Sequence, residues 1–261
     1  MKNIPNLFTL LNLVFGCLAI ICILQQGVML LPLDGEGNII ITPQQLENVP
    51  EKIWMASLFI GLAAVVDFLD GFVARFFNAS SEMGKQLDSL ADLVSFGVAP
   101  GMIIYQFLRL SFAQGEGGLD TSVLWLLPAF ILPCAAAWRL AKFNLDNSQS
   151  FSFKGMPVPA VGIFVASLPL IYWNVNEPWV LDLFLNKWFL YGLVLLLSYL
   201  MISSLPLMAL KFKDFSIKNN LPKYLLVLIA VAAIFILKWL AAPVILLAYV
   251  LLSLLFKIKT A

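Results

Sequence analysis

Four carboxylates, Asp67, Asp70, Asp88 and Asp92, lie close together in otherwise apolar sequence, with the guanidinium of Arg75 between them. A charge at membrane depth costs about 3 kcal/mol or more, so such residues are read first as functional. Four carboxylates brought together repel strongly where the dielectric is low. One arginine cannot neutralise four aspartates; bound cations remove the penalty. Oxygen donors without Cys or His select a hard ion, Mg²⁺ or Mn²⁺, with Ca²⁺ as competitor. A proton or ion pathway is a second use for the same charges. The chain contains no histidine, which excludes every histidine base, nucleophile or ligand and leaves carboxylates as the acid–base groups.

Helical spacing groups these residues. Asp70, Gly71 and Ala74 follow Asp67 at offsets of 3, 4 and 7, which puts all four on one helix face. Asp88 and Asp92 share a face of the next helix, with Gly84 one turn earlier. A short turn between the two helices makes them antiparallel neighbours, so the pairs converge. Gly71 and Ala74 leave a smooth surface for a ligand, and Arg75 offers a forked donor suited to phosphate.

The elements that must hold them are membrane helices. Of 261 residues, 61% are hydrophobic and only 12% charged, outside the range of soluble domains. The net charge of +1 gives no sign of a nucleic-acid partner. Cys17, Cys22 and Cys134 all lie in apolar runs, and their odd number argues against a disulfide framework. Lys2 alone precedes the first apolar run, and no small-x-small cleavage site follows, so that run reads as a span rather than a signal peptide. The expected fold is all-α, a polytopic membrane helix bundle of about eight spans, near 6–26, 53–77, 84–109, 121–145, 157–174, 187–208, 221–237 and 240–256. It forms one integral membrane domain over 1–261, with a catalytic core over about 1–208 and two further C-terminal spans over about 221–256. With the N-terminus inside, twelve of the 16 Lys and Arg residues fall on the inner side. Lys52, Arg109, Lys187 and Lys238 fall on the outer side, a positive-inside pattern. The loop near 27–51 is acidic, and Trp54, Trp125, Trp173, Trp179 and Trp188 cluster near outer ends as interface anchors do. Both termini and the carboxylate cluster then face the cytoplasm. No internal repeat supports an inverted-repeat transporter.

The pattern D-x2-D-G-x2-A-R-x8-G-x3-D-x3-D, filled by Asp67, Asp70, Gly71, Ala74, Arg75, Gly84, Asp88 and Asp92, resembles the signature of the CDP-alcohol phosphotransferase family. Eight fixed positions at fixed gaps make a specific match. The resemblance implies that the four aspartates bind two divalent ions, Mg²⁺ or Mn²⁺. These would hold the pyrophosphate of a CDP-linked lipid, with Asp92 as base toward an acceptor hydroxyl. Gly71, Ala74, Arg75 and Gly84 would take the nucleotide and its phosphates.

Three further polar islands resemble the phosphatidylserine-forming branch of that family. Pro5-Asn6-x-x-Thr9-x-x-Asn12 is similar to its opening, which implies that Asn6, Thr9 and Asn12 lie near the CDP group. Interhelical hydrogen bonding is the other reading of this stripe. Arg139-Leu-Ala-Lys142-Phe-Asn144 and Phe153-Lys154-Gly155-Met-Pro157-Val-Pro159 resemble two more of its motifs, with Lys142 replacing an arginine. Positive-inside anchoring and a Pro-Gly helix start explain the same residues without function. An amino-acid acceptor needs a cation for its carboxylate, from Arg139 first and Lys142 second. Ser95, three residues past Asp92, either meets the acceptor or bonds to its own helix. The resemblance implies CDP-diacylglycerol and L-serine as substrates, a homodimer, and a place in the bacterial cytoplasmic (inner) membrane. The signature does not choose the alcohol: glycerol-3-phosphate or inositol phosphate stays open, as does a cation transporter.

Overall fold

The structure, a computed structural model, describes residues 4–25, 52–77, 81–114, 121–145, 153–175, 177–208 and 216–256. The acidic 27–51 segment, most of the 78–82 turn, and Lys211 and Lys213 of the basic inner loop lie outside these.

Ten α-helices occur in order among the described residues: α1 (Ile4–Leu24), α2 (Ile53–Phe76), α3 (Glu82–Asp92), α4 (Ala99–Ala113), α5 (Ile131–Leu145), α6 (Val158–Asn174), α7 (Pro178–Phe184), α8 (Lys187–Ile202), α9 (Ile217–Leu237) and α10 (Ala241–Leu255). A π-helical turn, Leu93–Val98, joins α3 to α4. Pro100 has no N–H for the carbonyl of Phe96 and its ring would crowd that oxygen, so a regular α-turn is disfavoured there. The fold is all-α apart from one ladder of two-residue strands, β1 (Phe153–Lys154) against β2 (Pro206–Leu207), paired antiparallel.

Each of the eight expected spans has a helical segment. Among the described residues, four stretches are long and apolar enough to cross a membrane unaided, Pro5–Leu24, Ile53–Phe76, Glu82–Ala113 and Asn220–Leu255, and the bent pair α7–α8 makes a fifth. Asn220–Leu255 is two helices, not one straight rod. Lys238 has φ 48 and breaks the helix, and α9 packs back on α10. A straight helix of that length would also far exceed the ~30 Å hydrocarbon core. The protein is an integral membrane protein, with apolar side chains such as Phe68, Phe72 and Leu196 on its outside. The Glu82–Ala113 rod is central, with 56% of its apolar window buried, against 17% for Asn220–Leu255 at the periphery. Phe96, Ile103, Ile104, Phe107 and Leu108 of the rod are fully or almost fully buried.

One sequence expectation is corrected. α2 and α3 do not pack along each other; each packs on α1, and α1 with α2 is the most extensive helix pair. Seating both helices on α1 still brings their carboxylates together, beside a cleft that Asp70 and Asp88 line.

Candidate active site

The cleft begins with the local rules that place its walls. Ser81 caps α3, its Oγ accepting the Gly84 N–H at 3.0 Å, as a serine at a helix start does. This fixes the first turn of α3 beneath α1. Gly84 suits that approach: a Cβ there would lie 3.0 Å from Asn6 Oδ1, which would have to shift. Gly71 differs. A Cβ on it would meet nothing nearer than Arg75 Nη2 at 4.0 Å, so packing does not demand glycine and the space beside it is open.

That space is a cavity of about 530 Å³, lined by Asn6, Thr9, Asp70, Gly71, Ala74, Gly84, Lys85 and Asp88 among others. Carboxylate oxygens of Asp67, Asp70 and Asp88 lie within 4.8 Å of one another. The Asp67 carboxylate also interacts with Asp92, which joins the fourth acid to the group. Asp88 Oδ1 is buried with no hydrogen-bond partner, an expensive state for a carboxylate oxygen. An all-oxygen donor set from two helices, with an orphaned buried oxygen in it, fits hard divalent ions.

The polar stripe of α1 holds these acids. Thr9 Oγ1 lies 2.7 Å from Asp70 Oδ2 and 3.2 Å from Pro5 O; its one proton belongs to the charged, nearer acceptor. Asn12 Nδ2 donates to Asp92 Oδ1 at 3.1 Å. Thr9 and Asn12 are 3% and 0% exposed. The stripe therefore does bond between helices, and its partners are the carboxylates themselves. Asn6 lines the cavity. Ala74 lines it too, whereas the Arg75 side chain is exposed beside it.

Ser95 does not bond to its own helix. It is fully buried, and its Oγ donates to Asn12 O at 3.0 Å, pinning the π turn to α1. Arg139 and Lys142 are also outside the large cavity. They line a second crevice of about 10 Å³ with Trp138, Phe143, Met201, Ile202 and Ser203, room for roughly one water. Arg139 is 9% exposed and its Nε has no partner. It lies within electrostatic range of Tyr249 and Asp92. Lys142 is exposed. Asn144 is a clamp: its carbonyl accepts from Lys85 Nζ at 3.1 Å, and its Nδ2 donates to Ser89 Oγ at 2.8 Å. Two residues escaped the sequence reading. Lys85 lines the cavity but looked like one more inner-side cation, and Tyr249 sits in a run with no motif to mark it.

Comparison with known proteins defines the class first. The profile of the CDP-alcohol phosphatidyltransferase family matches residues 2–199, and the chain belongs to that family. Among curated relatives, a CDP-diacylglycerol–serine O-phosphatidyltransferase of Helicobacter pylori J99 is 35% identical over 185 residues, 70% of either chain. One of Bacillus subtilis is 33% identical over 178 residues, 66% of this chain and 78% of its own. One of Saccharomyces cerevisiae is 41% identical over 123 residues, 44% of this chain and 41% of its own.

Proposed function

We propose that this protein is a phosphatidylserine-forming transferase that moves the phosphatidyl group of CDP-diacylglycerol to the hydroxyl of L-serine and releases CMP. The observation that carries the reading is the meeting of three carboxylates from α2 and α3 beside an open cavity with a glycine floor. The names of the relatives supply the donor and the acceptor.

Asp67, Asp70, Asp88 and Asp92 hold two divalent ions, Mg²⁺ or Mn²⁺. When bound, such ions neutralise the diphosphate and make CMP a better leaving group. Asn6, Gly71, Ala74, Arg75 and Gly84 receive the nucleotide and phosphates. Thr9 and Asn12 aim the carboxylates of Asp70 and Asp92. Asp92 takes the serine hydroxyl proton as the new O–P bond forms and the bridging P–O bond to CMP breaks. Arg139 takes the serine carboxylate once its crevice, now wide enough for about one water, opens to admit it, with Lys142 at the mouth.

The catalytic core spans about 1–208, the chain pairs as a homodimer, and it lies in the bacterial cytoplasmic membrane with its site and both termini inside. The deciding experiment gives purified protein CDP-diacylglycerol, Mg²⁺ or Mn²⁺, and a panel of alcohols, and measures CMP. Serine-dependent release that stops on chelation supports the reading. Release with glycerol-3-phosphate and not serine overturns the acceptor; metal flux without CMP overturns the enzyme.

A further inference from the structure

We infer that the C-terminal hairpin α9–α10 belongs to the acceptor site, with Tyr249 as a positioning residue for Arg139. The inference rests on the acceptor role proposed for Arg139. It concerns residues beyond the family match, which ends at 199.

Tyr249 and Ser253 are 7% and 2% exposed in a helix that is otherwise apolar. Their polar groups close a ring with one residue of the chain. The Tyr249 hydroxyl donates to Met208 O at 3.1 Å, the Met208 N–H donates to Ser253 Oγ at 3.1 Å, and Ser253 Oγ donates to Tyr249 O at 2.6 Å. α10 thus holds both main-chain groups of Met208, directly after β2. From β2 the connection runs to the crevice. The Gly155 N–H donates to Leu205 O at 3.0 Å, and the Met156 N–H to Leu200 O at 2.8 Å. These bonds seat the end of α8, and Met201, Ile202 and Ser203 there form the wall against Arg139.

The Tyr249 hydroxyl also lies within electrostatic range of the Arg139 guanidinium. Anchoring alone needs only apolar contact between hairpin and bundle. The closed polar ring holds Met208, and through β2 the end of α8 that walls Arg139, whose buried Nε has no protein partner. An anionic group on the acceptor has the chemistry that matches this arginine.

The test uses the full-length protein and four variants: Tyr249→Phe, Ser253→Ala, Arg139→Ala, and the Tyr249→Phe/Arg139→Ala pair. KM is measured for CDP-diacylglycerol and for whichever alcohol releases CMP from the unaltered protein. Tyr249→Phe is expected to raise the acceptor KM about tenfold, the scale of the lost hydrogen bond to Met208 O that steadies the wall beside Arg139. The CDP-diacylglycerol KM and the thermal midpoint should stay near their starting values. In the Arg139→Ala background the same change should add less than about twofold, the mark of residues acting through each other. Ser253→Ala keeps the hydroxyl and should move the acceptor KM less than Tyr249→Phe does. Equal rises in both KM values, or a full additional loss without Arg139, overturns the inference. If serine fails and another alcohol works, the serine reading falls and Tyr249 is judged on that alcohol. No CMP with any alcohol overturns both.

Discussion

Thr9 and Asn12 carry no charge, yet each fixes one oxygen of a carboxylate far away in the sequence. Groups that orient metal ligands tune affinity by about 10–100-fold. Thr9→Val is therefore expected to raise the Mn²⁺ or Mg²⁺ concentration for half-maximal activity by roughly that factor, with turnover recovering at saturating metal. If turnover stays low at any metal concentration, Thr9 does more than aim Asp70. Asp92→Asn preserves shape and the bond to Asn12 but removes the base, so CMP release should fall by about 10²–10⁴-fold while CDP binding persists. Turnover near the starting value would show that the proton goes elsewhere. The aspartates were legible because charge is rare in this chain. Their pairing with α1 was not, because it depends on how α1 is rotated against α2 and α3, and no local pattern encodes that angle. Ser95 shows the same limit: its face was readable, but its partner, Asn12 O, lies on another helix.

At the scale of elements, the π turn and the β1–β2 ladder do most to shape the two crevices. A π turn inserts one residue, which rotates the downstream helix by about 100°. Asp92 and the α4 core face thus keep separate orientations on one rod. Gly155 terminates the ladder with φ 78, a conformation natural to glycine. A Cβ there would come within 2.6 Å of both Met201 O and Ser203 O. Strain of this kind costs about 1–3 kcal/mol, so Gly155→Ala should lower the thermal midpoint in detergent measurably. It should also raise the acceptor KM, because the displaced carbonyls belong to the wall beside Arg139. An unchanged midpoint and KM would mean that the loop relaxes freely. The Pro-Gly signal of 153–159 was visible as a helix start. Its pairing with 200–208 was not, since strands of two residues carry no periodicity.

The whole molecule has two unlike ends, and this gives the membrane orientation a direct test. The start of α3 and the end of α5 meet through Lys85 and Asn144, beside the carboxylates and Arg75. The opposite end gathers aromatic side chains. Trp125 accepts through its carbonyl from Tyr191 Oη at 2.6 Å, Lys187 lies 5.0 Å from the Phe112 ring centroid, and Trp54, Trp125 and Trp188 are exposed. Apolar run length foretold most helices to within a few residues, but α5 starts at Ile131, ten residues into its expected span, and α7 was not foreseen. It did not foretell which helices touch, because a side chain that suits lipid suits a neighbouring helix equally. The proposed sidedness rests instead on charge, since twelve of the 16 Lys and Arg residues fall on the side assigned as inner, a rule separate from packing. With Cys17, Cys22 and Cys134 replaced, a single cysteine at Trp125 should react with a membrane-impermeant maleimide in intact cells. A single cysteine at Gln86, on the exposed face of α3, should react only after permeabilisation. The reverse pattern would put the carboxylate cleft outside the cell, away from cytoplasmic CDP-linked lipid and serine, and the proposed reaction would lose its setting.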